Sequence, residues 1–494
     1  MMFSSKTLLL LSLTGSAYGA PQGFPTTRIK YAGNTGPIAG VTPPLASVQA
    51  PVGGLRGDGS LLGGNAKIPD VTGESAEVDN PPTLVPGQDA DADLGLYLDF
   101  NSADKPEPYR GSKGASADGA RTFAYEKLNP DLFAPPGTDA GSVPNAMWPM
   151  GLSHNRFGSG EKSGWARQQN TDVLPSATAM AGVDMKLAPN AYRELHWHTA
   201  AEWALVLKGC VRVAAVNDES QTFTDDLCAG DVWFFPAGVP HSIQAFDEGV
   251  EFLLVFDQGD FDENGTFLVS EMFARTPTSV LAKNFAAPVD AFRDIPQREL
   301  YIFDGTPQPK DIAEQTVTGP AGAVPVARAY TYHWSQQEPF ETPGGTVKIL
   351  DPTSFPVAAG FSAALVTVRP GAMREMHWHT TSDEWDYFLQ GSGRATVYKA
   401  PDAGRTFDFT AGDVGYIPKA GAHYVENTGT EDLVFLEVLQ APKFTDISVA
   451  QWLALTPKQV VKDHLHLDDS VLDNIPKEKT ILKQGNTNLT ALSS

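Results

Sequence analysis

Two short stretches of this chain combine imidazoles and a carboxylate at spacings that suit a metal ion. His196 and His198 lie two residues apart, Glu202 follows after a short turn, and His241 comes later, just past a Pro and Gly turn. On a β-strand, residues i and i+2 share a face, so both imidazoles of the pair look to one side and Trp197 to the other. Three imidazoles and one carboxylate converging on a point make a mononuclear metal site. On an octahedral ion they leave two positions open, enough for a bidentate ligand or for substrate beside dioxygen, which favours redox or Lewis-acid chemistry. The ligand types suit Mn, Fe, Ni, Cu or Zn, and the lack of thiolates argues against a sulfur-rich structural zinc site.

The set occurs twice. Arg193-Glu194-Leu195-His196-Trp197-His198-Thr199 returns as Arg374-Glu375-Met376-His377-Trp378-His379-Thr380, displaced by 181 residues. Gly230-Asp231-Val232 with Pro236 and His241 returns as Gly412-Asp413-Val414 with Pro418 and His423, displaced by 182. The chain is a tandem duplication, and its second ligand set is His377, His379, Glu384 and His423. A lone His-x-His pair is commonly a hydrogen-bonded core feature, but a duplicated four-ligand constellation is hard to explain without metal. Arg193 and Arg374 stand three residues before the first His of each pair. An extended strand would aim them away from the ligands unless a bulge turns them inward, where a guanidinium fork could hold a carboxylate through paired charge-assisted hydrogen bonds.

The elements that must position these residues read as strands. Runs rich in Val, Phe, Tyr and Trp at 231–235, 251–256, 394–398 and 433–438, separated by Gly, Pro and Asp turns, predict a β-sandwich or barrel in each copy. Helical patterning is confined mainly to 269–282 and 449–466, the latter opened by Ser448 as an N-cap. Each lies just beyond its strand region as a short excursion. Cys210 and Cys228 flank a predicted hairpin turning at Asp218-Glu219-Ser220, where symmetric pairing would set them opposite each other. A disulfide is expected there, two buried free thiols being the alternative.

Composition bounds the remainder. The 494 residues are 41% hydrophobic and 10% aromatic, which excludes a wholly disordered chain. With 59 acidic against 36 basic residues, the net charge of -23 argues against a nucleic-acid partner or an anionic membrane surface. Lys6, the apolar run 7–13, and the small residues Ala17 and Gly19 read as a signal peptide over residues 1–19. A secreted, extracellular protein in oxidising surroundings is therefore expected. No later stretch is long and apolar enough to span a membrane. Residues 21–90 hold 12 Gly and 10 Pro, so 20–104 reads as an N-terminal arm to which no fold is assigned. Asn264-Gly265-Thr266 and Asn488-Leu489-Thr490 are glycosylation sequons.

The two motifs resemble those of the cupin superfamily. Gly371, His377, His379, Glu384 and Gly391 fit its first motif, and the first copy departs only in having Asn190 for the leading Gly. Gly230, Pro236, Gly238 and His241 fit the second motif with Ala245 replacing Asn; Gly412, Pro418, His423 and Asn427 fit it with Ala420 replacing Gly. Longer strings, among them RELHWH, DVWFFPAGVPHSIQA, GAMREMHWH and AGDVGYIP, are similar to the bicupin oxalate decarboxylases over about residues 105–465.

That resemblance implies an all-β fold: two tandem cupin (double-stranded β-helix or jelly-roll) barrels with short helical excursions, at 105–295 and 296–470, followed by a tail at 471–494. It implies a Mn enzyme converting oxalate to formate and carbon dioxide, with dioxygen as a required co-catalyst. Each domain would bind one Mn ion, through His196, His198, Glu202 and His241 in the first and His377, His379, Glu384 and His423 in the second. Arg193 would orient oxalate in the first and principal site, with Arg374 as its counterpart in the second. Glu437 matches an acid near the family's second site, and Val255 is taken as the first copy's residue at that place. The loop Asp262-Glu263-Asn264-Gly265 aligns Glu263 with the family's lid acid, although Asp262 and Gly265 replace serines there. A glycan at Asn264 would obstruct lid closure, so that sequon is expected to be unoccupied. The family also implies a homo-oligomer, a trimer or hexamer. Two alternatives stand beside this reading. An oxalate oxidase, making hydrogen peroxide and carbon dioxide, would be expected to lack the lid acid, and a storage-type bicupin would tolerate lost ligands.

Overall fold

A computed structural model describes residues 135–160 and 162–485, together with the backbone of two short paired strands, Lys67–Pro69 and Ser75–Glu77. The expected signal peptide at residues 1–19, most of the arm and the Asn488 sequon lie outside the described residues.

The chain is all-β, with two jelly-roll barrels. In the first, the ligand-bearing strands Tyr192–Trp197, Glu202–Val216 and His241–Phe256 lie side by side, antiparallel. The two longest of these run through both walls of the barrel and bend on glycine. Gly209 sits at φ +76°, and a Cβ there would lie 2.1 Å from the carbonyl oxygen of Gly249, so no other residue fits the bend without displacing backbone. The second barrel breaks the same path into separate strands, Glu384–Gln390 then Ser392–Lys399, and His423–Asn427 then Leu433–Leu439, with Gly391 at φ +82° in the break.

Strand alternation sorts the side chains into three cores. Ala204 and Val206 pack inside the first barrel, whereas Trp203 and Leu205 face outward and meet Trp385, Tyr387, Leu436 and Val438 from the second. Phe388, Phe407 and Phe435 fill the interior of the second barrel. The interface is close. A Cβ on Gly182 would lie 2.2 Å from the Trp385 ring, and the Trp385 indole donates to Gln169 Oε1 at 2.7 Å. The barrels also exchange strands: Met147–Pro149, ahead of the first barrel, pairs with Asp413–Ile417 of the second, while Thr331–Tyr332, from the connecting segment, pairs with Val232–Phe235 of the first. Pulling the barrels apart would thus open both sheets.

The helical excursions form, each broken in two by a proline. Pro277 ends the run begun by Val269–Ala274 and starts Thr278–Asn284; Pro457 divides Val449–Ala454 from Lys458–Leu465 in the same way. Ser448 caps Val449–Ala454, accepting from the Gln451 N–H at 3.3 Å. The hairpin between Glu202–Val216 and Thr222–Cys228 sets Cys210 opposite Cys228, and the two form a disulfide.

One carboxyl at the interface is poorly accommodated. Asp184 is 4% exposed, its Oδ1 has no hydrogen-bond partner, and its cross-strand neighbour Arg167 donates to Asn155 instead. Burial and then the charge of Glu251 push its pKa up to about 7, against the opposing charges of Arg167 and Lys186. A carboxyl raised in the folded state favours folding below its unfolded pKa, and that contribution is lost as pH rises from about 4 to about 7. Asp184→Asn should therefore leave stability near pH 4 almost unchanged and raise it at pH 8 by about 2 kcal/mol. Thermal midpoints of the two proteins at both pH values check this, and an equal shift at each pH would contradict it.

Candidate metal centres and active site

Each ligand set assembles inside its barrel. In the first, His196, His198, Glu202 and His241 are buried, and one ligand atom from each lies within 4.8 Å of every other. His377, His379, Glu384 and His423 do the same in the second. Every imidazole is oriented by a main-chain carbonyl at Nδ1: Glu194, Ala200 and Val239 serve His196, His198 and His241 at 2.6, 2.6 and 2.8 Å. In the second barrel, Glu375, Thr445 and Gly421 do so at 2.7, 2.8 and 3.0 Å. A carbonyl can only accept, so Nδ1 carries the proton and the Nε2 lone pair faces the centre. Burial, followed by the nearby Arg193 or Arg374 charge, lowers the pKa of His196 and His377 well below the usual range, which keeps these rings neutral. The Nε2 atoms of His241, His377, His379 and His423 and both carboxylate oxygens of Glu384 are buried without hydrogen-bond partners. Neutral imidazole nitrogens and a carboxylate, orphaned around one point, are a donor set that fits a divalent cation.

The bulge that the arginines require is present. His241 pairs with His196 and Ile243 with Arg193, so four residues on one strand are matched by three on the other; His423–His377 and Val425–Arg374 repeat the offset. The extra residue turns each arginine inward, and both are 1% exposed.

There the barrels diverge. In the first, Arg193 meets Glu263 Oε2 at 3.1 Å, and the Tyr301 hydroxyl donates to the same oxygen at 2.9 Å. Tyr301 lies between two guanidinium groups, Arg156 at 3.8 Å and Arg193 at 4.4 Å from its ring centroid. Burial and then the Glu263 charge raise its pKa well above the phenol norm, so it stays a donor. Glu263 opens a single turn, Glu263–Gly265, capped by Asp262, which accepts from the main-chain and side-chain N–H groups of Asn264 at 2.8 and 2.9 Å. Gln168 Oε1 accepts from the Glu263 N–H at 3.0 Å, and Phe261 stacks on Phe256 beside His198. In the second barrel Arg374 is already neutralised, by Glu437 at 3.2 Å and by Asp446, which also pairs with Lys479. The loop there is shorter, seven residues (440 to 446) between strands against ten (257 to 266) in the first, and the carboxylate it brings to the arginine is Asp446 in place of Glu263.

The register corrects one expectation. Asp386 pairs with Glu437 and Ala204 with Leu254, so Leu254, not Val255, stands in the first barrel where Glu437 stands in the second. The barrel-2 loop before this strand is one residue longer, which misaligned the copies. Leu254 lies in the barrel interior and Val255 in the contact between barrels. Two residues at these sites escaped the sequence reading. Tyr301 comes from a connecting segment and reaches the site because its N–H is held by Glu194, 107 residues away; Ile481 takes its place in the second barrel. Asp386, 1% exposed, points into the second barrel, and burial together with the charges of Glu384 and Glu437 raises its pKa well above the carboxyl norm.

Comparison with known proteins agrees with this geometry. The cupin family model matches residues 155–290 and 333–473. Oxalate decarboxylase OxdC of Bacillus subtilis is 46% identical over 376 residues, covering 76% of this chain and 96% of its own, and an oxalate decarboxylase of Arthroderma benhamiae is 38% identical over 402 residues, covering 76% and 93%. The structure of the Bacillus subtilis enzyme at pH 4.6 superposes with a TM-score of 0.73 at 44% identity, covering 78% of this chain and all of that one. Another structure of that enzyme, with the same score, comes from work on its Mn(II) centres. With two barrels, two matching ligand sets and relatives aligned over nearly their whole length, the chain belongs to the cupins and, among them, to the oxalate decarboxylase family.

Proposed function

We propose that the protein converts oxalate to formate and carbon dioxide in its first barrel, with one Mn ion in each. The observation that carries this reading is Glu263, held by Arg193 and Tyr301 against the first ligand set. The reaction is redox-neutral: one carboxyl leaves as carbon dioxide, and the carbon left behind gains a proton. His196, His198, Glu202 and His241 would hold the ion, which supplies Lewis-acid and one-electron redox chemistry with dioxygen as co-catalyst. Arg193 receives a substrate carboxylate in its fork, displacing Glu263 onto Tyr301 alone. Glu263 then takes up the proton of monoprotonated oxalate and returns it to the carbon from which carbon dioxide has left, and the Phe261 side of the lid keeps water away meanwhile. An oxidase, needing no carbon protonation, would have no use for this acid.

Arg374 and Glu437, paired with each other, belong in our reading to the surroundings of the second ion rather than to a second decarboxylating site. Secretion is proposed from the N-terminal apolar run and the disulfide, which suits an oxidising compartment. A trimeric or hexameric assembly is supported by apolar residues that the duplicated motif exposes, Leu195 and Phe267 on the first barrel and Met376 and Ile447 on the second. Asn264 is proposed to be unglycosylated, since its amide caps the lid turn through Asp262.

Glu263→Gln should lower formate production ~100-fold or more while leaving Mn content intact. Undiminished formate would remove Glu263 from the mechanism. His196→Ala should empty the first site and abolish turnover, whereas an active variant retaining two Mn ions per chain would overturn the assignment of the first barrel. Light scattering on the purified protein tests the assembly, with a monomer contradicting it.

A further inference from the structure

Both barrels hold one residue of the chain beyond their helices in the same way, but the side chains differ. The Tyr301 N–H donates to the Glu194 carboxylate at 2.6 Å, and its carbonyl accepts from the Glu194 N–H at 3.0 Å. Ile481 repeats both bonds with Glu375, at 3.0 and 2.9 Å. The two residues sit at φ +59° and +60°, a left-handed backbone that bulky side chains rarely adopt. The main chain is pinned alike in each copy. A phenol aimed at a carboxylate must also be kept from turning about its side-chain bonds, which main-chain hydrogen bonds do not control.

Arg156 supplies that restraint. It stands on the strand Asn155–Phe157, with its guanidinium carbon 3.8 Å from the centroid of the Tyr301 ring, and the hydroxyl of that ring reaches Glu263 at 2.9 Å. Arg156 Nη2 pairs with Glu299 Oε2 at 2.6 Å, whereas its Nη1 is buried with no hydrogen-bond partner; the phenol face answers the charge instead. The turn after the strand is tied beside Tyr301, for the Ile302 carbonyl accepts from the Ser159 N–H at 2.7 Å and the Ser163 hydroxyl at 3.1 Å. The second copy lacks both members of the pair. Arg156 lies across from Ala166 and Phe340 from Val347, each two residues past the glycine that opens the facing strand, Gly164 or Gly345. Phe340 is 63% exposed, and Ile481 has no hydroxyl. Arginine and tyrosine thus occur together in one copy and are replaced together in the other.

We propose that Arg156 is a positioning residue for the decarboxylation: fixed by Glu299, it holds the Tyr301 ring so that the hydroxyl keeps Glu263 in place when Arg193 turns to substrate. The proposal rests on the reading of Glu263 as the acid that protonates carbon.

The test measures formate turnover, KM for oxalate, peroxide per oxalate and Mn per chain in the full-length Mn-loaded protein, for Arg156→Met, Tyr301→Phe and the double variant. Arg156→Met should keep its Mn and a KM within about twofold of wild type, while kcat for formate falls about 5-fold or more and the peroxide share rises. Tyr301→Phe keeps the ring and removes the hydroxyl, which leaves Arg156 nothing to aim. The double variant should therefore stay within about twofold of Tyr301→Phe alone. Arg156→Gln carries the same comparison if Arg156→Met is not recovered as folded protein. Unchanged formate and peroxide in the Arg156 variant, or losses that multiply in the double variant, would overturn the proposal and leave the proposed function standing. A wild-type protein that makes no formate from oxalate would overturn both.

Discussion

A guanidinium buried inside a barrel must find a carboxylate, and that requirement organises both halves of this protein. Removing an arginine from water is costly unless its charge is met at close range. The same one-residue bulge drives Arg193 and Arg374 inward beside their ligand sets. In the first barrel the compensating carboxylate, Glu263, arrives on a capped turn in a surface loop, so a substrate carboxylate can compete for the arginine. In the second it comes from Glu437 on a central strand, with Asp446 adding a second partner. Arg193 meets a loop carboxylate alone, whereas Arg374 meets one from the sheet as well as one from its loop.

Duplication supplied two equal scaffolds, and a few side chains made them unequal. The loop after the last strand is longer in the first copy and brings Glu263 to its arginine where the second brings Asp446. Tyr301 stands where the second copy has Ile481, giving Glu263 a hydrogen-bond donor once Arg193 turns to substrate. The ligand geometry, by contrast, is common to both copies, with each Nδ1 fixed by a main-chain carbonyl. The net charge of -23 is compatible with an anionic substrate because the cations that matter, an ion and Arg193, are enclosed while most of the surplus acid is outside.

Much of this was legible in the sequence where local rules decide. The i, i+2 spacing of His196 and His198 on a strand, the repeat, the Cys210–Cys228 hairpin and the Ser448 cap depend on near neighbours or on self-similarity. What escaped depends on register and on distant chain. The bulge could be posed only as a condition, because nothing local marks an extra residue. Counting forward from His241 gave Val255 where pairing gives Leu254, since a loop one residue longer changes the face of everything beyond it. Tyr301 lies in a connector with no strand pattern of its own, and only the buried Glu194, gathering the N–H groups of Ser270, Leu300 and Tyr301, brings it to the site. The strand exchange between barrels has no signature in either partner strand.

The central claim is that an acid poised on Arg193 makes this chain a decarboxylase. Product analysis of the Mn-loaded, oxygenated protein turning over oxalate tests it most directly, with formate, carbon dioxide and hydrogen peroxide measured together. The account predicts one formate and one carbon dioxide for each oxalate consumed, with peroxide a minor product. Two carbon dioxides and one peroxide per oxalate, with formate absent, would contradict it.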